Sequence, residues 1–169
     1  PDATDVADGS DASDAPEDIG PPAPAATPGT AIITELMVNP KVWPDAKAEW
    51  IELHNPTAGA VDLSGCALSD GVVDNAILSP GAPLVLPAGG FLVLAPEASP
   101  LLNGGVPVDA TYSGFFLTNL ADAVILSCDG AVLDAVAYAA SDWPLVEGRS
   151  LALDAGAPLT PGTNDAPQQ

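Results

Sequence analysis

Short runs of β-branched and apolar residues, each stopped by a turn signal, follow one another along the chain from about residue 31. The first run, Ile32–Val38, ends at Asn39-Pro40, and the second, Glu49–His54, ends at Asn55-Pro56. Proline cannot donate to a sheet ladder and disfavours the helical conformation in the residue before it. Each run therefore predicts a strand that ends at its Asn-Pro pair, with a loop between the two strands.

Turn signals of the same kind predict further strands. The strongest local signal is Asp129-Gly130 between Val124–Cys128 and Ala131–Tyr138, because a type I′ hairpin turn needs positive φ at both central residues. Short strands without helical periodicity between them predict an antiparallel sandwich or barrel. Further strands are predicted at Cys66–Ser69, Leu84–Leu86, Phe91–Ala95 and Arg149–Leu153, whereas Val61–Gly65 is predicted to be a turn and Thr111–Leu117 to be irregular.

Residues 1–30 differ in kind from the rest of the chain. Acidic residues recur about every three positions among Ala, Ser and Gly, and Pro21–Gly29 closes the segment. Such a segment cannot bury enough surface to offset the entropy of ordering. The sequence thus predicts a disordered acidic linker over residues 1–30 and a folded domain over 31–160. Residues 161–169 form either a C-terminal tail or a truncated final strand.

The charge balance excludes one class of partner. The chain of 169 residues is 47% apolar, which is enough for one core, and its formal net charge is -20. Its three basic residues are Lys41, Lys47 and Arg149. Lys and Arg supply most nucleic-acid affinity, so we expect no nucleic-acid partner. No apolar run reaches the length of a transmembrane segment, and the start at Pro1 is compatible with a removed signal or lipid anchor.

The strand and turn motifs together resemble the lamin-tail domain family in its bacterial, secreted type. The resemblance runs from Ile33–Pro40 through Glu49–Pro56 and Val61–Gly71 to Trp143-Pro144. It implies an all-β, immunoglobulin-like antiparallel β-sandwich at the cell surface or outside the cell. It also implies a non-catalytic module without cofactor that binds a protein or cell-surface partner, or positions neighbouring domains. The signature positions are Glu35, Asn39, Glu49, Trp50, Glu52, Asn55, Asp62, Gly65, Asp134 and Tyr138.

Two cysteines, Cys66 and Cys128, lie at or next to predicted strand ends. Their number is compatible with one disulfide or with two buried thiols. The secreted context that the resemblance implies favours the disulfide, because oxidising compartments preserve it.

Three carboxylates, Glu35, Glu49 and Glu52, lie on the first two predicted strands. Paired carboxylates can act as general acid and base, so a hydrolase is one alternative function. No cluster of sugar-stacking aromatics accompanies them, and we favour backbone hydrogen bonds for Glu35 and Glu49 and solvent for Glu52. His54 is the only histidine. It belongs to no recognisable zinc or Ser/His set, and a structural role is predicted for it.

Aspartates near turns define a second alternative. Asp70 with Asp74 and Asn75, or Asp129 with Asp134, offer oxygen ligands of the kind that calcium prefers. A shared ion there would indicate a calcium-dependent carbohydrate- or surface-binding module. Asp-Gly turn chemistry already accounts for Asp70 and Asp129, so we expect no cofactor.

Asp134 shares the parity of Val132, Val136 and Tyr138, so it is predicted to point inward with them. A buried charge is costly unless it is partnered. We expect backbone donors at the end of the sandwich, or Arg149, to serve it. Of the tryptophans, Trp50 is predicted in the core, and Trp43 and Trp143, each before a proline, on the surface.

Overall fold

The structure, a computed structural model, describes residues 21–79, 81–152, 158 and 160–162. Strands dominate, and one helix of four residues, α1 (Asp45–Ala48), lies between the first two. The strands are β1 (Ile32–Met37), β2 (Trp50–His54), β3 (Val61–Asp62), β4 (Ala67–Ser69), β5 (Asn75–Ile77), β6 (Val85–Leu86), β7 (Phe91–Ala95), β8 (Ala110–Thr111), β9 (Ala121–Cys128), β10 (Ala131–Ala139) and β11 (Leu151–Ala152).

Two sheets form the sandwich. The larger has the order β11-β1-β2-β7-β8, the smaller has the order β10-β9-β4-β5, and β3 and β6 form a separate pair. All pairs are antiparallel except β7 with β8, where Leu94 lies opposite Ala110 in a parallel ladder. The predicted all-β sandwich is confirmed, with one parallel pair at its edge.

The predicted end of the linker at residue 30 is wrong. Asp62 donates its N–H to the Pro24 carbonyl (2.8 Å) and its carbonyl accepts the Ala26 N–H (3.0 Å), which makes a parallel bridge between Ala25 and Asp62. Ala26 is also buried in the core. Proline lacks a donor but keeps its acceptor, so a proline-rich segment can still pair with β3. The predicted linker over residues 1–20 lies outside the described residues, and so do residues 163–169 of the predicted tail.

The segment that pairs with Ala25 also forms a strand with β6, where the sequence predicted a turn. Val61 and Asp62 lie opposite Leu86 and Val85 of β6, although the sequence predicted a turn over Val61–Gly65. The sequence also missed β5, β8 and α1. Elements of two to four residues are too short to show a hydrophobic period, and their partners are distant in sequence.

The alternation predicted for β2 holds in its middle. Ile51 and Leu53 are fully buried in the core between the sheets, whereas Trp50 and Glu52 are half-buried on the outer face. The prediction of Trp50 in the core is therefore wrong, because Trp50 shares the parity of Glu52. Trp143, predicted on the surface, is half-buried and packs against the core.

A β-bulge interrupts each of the two long antiparallel pairs. The register of β1 on β2 shifts around Thr34, and that of β10 on β9 shifts around Leu133. A bulge inserts one residue and thereby breaks the alternation of faces. Val132 is consequently 53% exposed while Leu133 and Asp134 are both buried, so the predicted inward position of Val132 is wrong.

The second bulge connects the two sheets. It brings Asp134 of β10 towards β1, where its Oδ2 accepts the backbone N–H of Ile33 at 2.8 Å. Within the described residues, β11 pairs with β1 at Glu35 and Leu36. The predicted inward carboxylate with a backbone donor is thus present, and it bridges the sandwich.

The hairpin turn between β9 and β10 has the predicted conformation. Asp129 and Gly130 have φ angles of 49° and 79°. Both central residues are therefore left-handed, as a type I′ turn requires.

Candidate interaction surface

The three carboxylates considered for catalysis are not brought together. Glu35 and Glu52 lie opposite each other on β1 and β2 and share the outer face, whereas Glu49 precedes β2 and points into the interior. Glu35 accepts a hydrogen bond from the Ser150 hydroxyl, and Glu52 accepts one from the Thr34 hydroxyl at 2.7 Å. Both partners are side chains, so the expected backbone donor for Glu35 and open solvent for Glu52 are wrong.

Glu49 is a buried carboxyl group with a pKa near neutrality. Its side chain is only 2% exposed, and Oε2 accepts the backbone N–H of Leu117 at 3.1 Å. Burial raises its pKa to about 7, against the opposing effect of the Leu117 hydrogen bond, and the charges of Asp45 and Asp122 add to the rise. Glu49 therefore changes its protonation in the physiological range.

Two tyrosines complete a buried polar cluster with Glu49. Burial raises the pKa of Tyr112 and of Tyr138, and the charge of Glu49 contributes to both shifts. The Tyr138 hydroxyl donates to the Thr118 carbonyl at 2.9 Å, whereas the buried Tyr112 hydroxyl has no hydrogen-bond partner within the described part of the chain. Glu49 and Tyr138 therefore hold Leu117 and Thr118 to the sandwich.

The aspartates considered for calcium are used in turns or lie apart. Asp70 Oδ1 accepts the backbone N–H groups of Val72, Val73 and Asp74 at 2.7–2.9 Å. These bonds hold the pKa of Asp70 below its ordinary value, and the bond from Val72 contributes most. Its carboxylate thus closes the turn after β4.

The second pair of calcium candidates, Asp129 and Asp134, lies in two different environments. Asp129 is exposed in the turn between β9 and β10. Asp134 is buried, and its Oδ2 accepts the Ile33 N–H at 2.8 Å. Among the residues that the structure describes, no group of three or more His, Cys, Asp or Glu side chains could hold a metal ion.

A disulfide joins Cys66 and Cys128. Ala67 of β4 lies opposite Ser127 of β9, so the register places the two cysteines opposite each other, with 4.3 Å between their Cα atoms. The bond crosses two neighbouring strands of the smaller sheet and closes a sequence separation of 62 residues.

Several signature residues stabilise turns. Asn55 is fully buried, donates to the Gly59 carbonyl at 2.8 Å and accepts the Thr57 N–H at 2.9 Å. Asp62 Oδ1 accepts the N–H of Ser64 at 2.8 Å. Gly65 has a φ of 79°, which favours glycine. These positions therefore specify the fold.

His54 is also bonded within the fold. Its Nδ1 lies 3.0 Å from the Gly90 carbonyl, and its ring stacks on that of Phe91 with 4.3 Å between the centroids. The histidine is buried, although its parity placed it on the outer face, because Phe91 covers it. Phe91 itself is 52% exposed and leaves an aromatic ring on this face of the larger sheet.

All three tryptophans border two shallow grooves at one end of the molecule. The first groove, of about 280 Å³, is lined by Trp43 and Trp50 together with Lys41. The second, also of about 280 Å³, is lined by Trp143 and Arg149. The sequence contained a signal for this surface, since every basic residue lies within six positions of a tryptophan, but the prediction did not use it.

One basic residue near the grooves, Lys47, forms an ion pair. Lys47 Nζ lies 2.7 Å from Glu97 Oε2, and this is the one ion pair found between described residues. Lys41 and Arg149 thus have no carboxylate within ion-pair distance in the described part of a strongly acidic chain.

Comparison with known proteins agrees with the fold. The family model of the Lamin Tail Domain matches residues 24–140, which is more than half of the chain and begins where Pro24 pairs with β3. Neither the curated proteins nor the solved structures contain a match. Within the described residues, no helix is long and apolar enough to cross a membrane. The chain therefore belongs to the lamin tail domain family, whose fold is immunoglobulin-like.

Proposed function

We propose that this chain is a non-catalytic interaction module, displayed at the cell surface or outside the cell, that binds a protein or surface partner and positions neighbouring domains. One observation carries the proposal. The side chains able to do chemistry are bonded within the fold, whereas large apolar side chains face solvent.

Glu49 and His54 illustrate the first half of this observation. Glu49 is buried against Leu117, and His54 lies beneath Phe91. Glu49 also lies on the other side of β2 from Glu35 and Glu52, so the three cannot act on one substrate bond. This arrangement disfavours the hydrolase alternative.

Exposed apolar side chains supply the second half. Phe91 is 52% exposed and Trp43 is 37% exposed, and both belong to residue types that are enriched in protein interfaces. Exposed aromatic rings on a rigid scaffold favour recognition of another macromolecule. With a net charge of -20, that macromolecule is not a nucleic acid.

The cysteines support the location. The cross-strand disulfide between Cys66 and Cys128 persists in oxidising compartments and is rare in the cytosol. An extracellular or surface position is therefore part of the proposal.

Site-specific photocrosslinking on the producing cells tests the function. A benzophenone amino acid replaces Trp43, Phe91 or, as a control, the small exposed residue Ala131 of the smaller sheet. We expect a discrete protein adduct from at least one of the two aromatic positions and none from Ala131. Absence of any adduct would contradict the interaction function. So would a hydrolytic activity that the Glu35→Gln or Glu52→Gln variant loses while the fold is retained.

A further inference from the structure

The two grooves adjoin each other. The first lies beside the loop that leaves β1, and the second lies beside the turn that enters β11. Gly148 borders the first groove and its neighbour Arg149 borders the second, so the two share one rim. Together they offer two apolar depressions, each with an indole wall and one basic residue.

The walls of the first groove are held by glycines. A Cβ at Gly104 would lie 3.0 Å from Trp43 Cδ1, and a Cβ at Gly148 would lie 2.9 Å from Lys41 Cβ. The Trp43 ring and the Lys41 stem therefore pack directly on backbone that carries no side chain. A ring and a stem positioned before binding lose less conformational entropy when a ligand arrives.

The charges at the rim are available to a partner. The chain has 23 acidic and three basic residues, yet Lys41 and Arg149 have no carboxylate partner among the described residues. Lys47, which faces away from the groove towards Glu97, has one. Unpaired bases beside an indole groove favour a ligand that supplies its own carboxylates.

The floors of the grooves indicate what else the ligand carries. Met37 and Val106 line the first groove, and Val146 and Leu151 line the second. The one side-chain amide in the first groove, that of Asn103, already donates to the carbonyls of Glu97 and Val106. Aliphatic floors with a committed amide suit apolar side chains better than sugar hydroxyls.

We propose, on the basis of the interaction function above, that these grooves bind an extended acidic peptide segment of a partner protein, with apolar side chains in the two depressions and carboxylates on Lys41 and Arg149. Every second side chain of an extended peptide points to the same side, so apolar and acidic residues that alternate along that side can both face the grooves.

A synthetic peptide tests the proposal directly. The full chain is titrated with a capped peptide that repeats Leu-Ser-Glu-Ser, followed by calorimetry and by tryptophan fluorescence, at physiological salt, which screens the net charge of -20. We expect saturable binding that shifts the tryptophan emission. Peptides that repeat Ser-Ser-Glu-Ser or Leu-Ser-Gln-Ser should bind at least about tenfold more weakly.

Lysine variants provide a matched control. The Lys41→Gln/Arg149→Gln double variant should lose at least about tenfold in affinity for the peptide. Lys47→Gln should change it less than about twofold, because Lys47 already pairs with Glu97. Equal losses in the two proteins, absence of binding, or tighter binding of polygalacturonate than of the peptide would overturn the proposal. A crosslinked partner at Phe91 but not at Trp43 would leave the interaction function standing and contradict the groove assignment alone.

Discussion

Asp70 and Glu49 are both carboxylates that accept backbone hydrogen bonds, and burial decides how they differ. Asp70 is partly exposed at a turn and accepts three backbone hydrogen bonds, which lower its pKa. Glu49 is buried, accepts one backbone hydrogen bond, and has a pKa raised to about 7. For Glu49 the cost of removing a charge from water exceeds the gain from its hydrogen bond. The pH response near neutrality therefore depends on Glu49.

The free energy of unfolding should decrease as the pH rises from about 4.5 to 7. The folded-state pKa of Glu49 lies above its ordinary value of 4.5, so folding favours the protonated form. Its contribution is complete below pH 4.5 and is lost as the pH passes 7, a change of about 3 kcal/mol by linkage. Denaturant unfolding between pH 5 and pH 8 measures it.

The Glu49→Gln variant separates this effect from general charge repulsion. Glutamine stays neutral, so we expect the variant to be more stable than the natural chain at pH 8 and to depend less on pH. Glu52→Gln, on the outer face, serves as the control and should retain the natural pH dependence. Identical pH profiles for Glu49→Gln and the natural chain would contradict the assignment.

At the scale of the elements, the two bulges determine how the sheets meet. Thr34 and Leu133 each add one residue to a strand, and the second bulge aims Asp134 at the N–H of Ile33. The Asp134→Ala change removes the acceptor that lies 2.8 Å from the Ile33 nitrogen and opens space between the sheets. We expect a loss of about 3 kcal/mol in the free energy of unfolding.

Two further variants serve as controls for that measurement. Asp134→Asn keeps an acceptor oxygen, so it should cost less than Asp134→Ala. Asp142→Ala, which removes an exposed carboxylate, should change stability by less than about 0.5 kcal/mol. Equal stabilities of Asp134→Ala and Asp142→Ala in urea would show that the bond between the sheets contributes nothing.

Local signals predicted the elements well where the cause was local. Asp129-Gly130 specified its hairpin because the turn conformation depends on those two residues. Val132 was misplaced because a bulge depends on the register of two strands, which one strand alone does not reveal. The first groove combines residues near 41–50, 104 and 148. No local pattern predicts that they meet.

At the scale of the whole molecule, the disulfide restricts the unfolded chain. A cross-link over 62 residues removes loop entropy worth about 4 kcal/mol in the unfolded state. Reduction should therefore lower the free energy of unfolding by up to that amount, as measured by urea unfolding with and without a reductant. The Cys66→Ser/Cys128→Ser variant should have the same free energy of unfolding as the reduced chain, and the reductant should not change it. A reductant effect of the same size in that variant would contradict this account.

The charge of the whole chain predicts its response to salt. A net charge of -20 with a single ion pair between described residues means that folding brings like charges together. Salt screens such repulsion over about 10 Å at 0.1 M. The melting temperature should therefore rise with sodium chloride at low ionic strength and then level off.

Divalent ions extend this test to the calcium alternative. If calcium acts only by screening, calcium and magnesium chloride of equal ionic strength should raise the melting temperature equally. Screening alone is expected because Asp70 already accepts three backbone N–H groups and Asp134, the predicted partner of Asp129, is buried and accepts the Ile33 N–H. A built site would instead discriminate, since calcium accepts more and longer oxygen contacts than magnesium. A calcium-specific rise that Asp70→Asn removes would therefore establish a site at the turn after β4 and favour the calcium-dependent binding module.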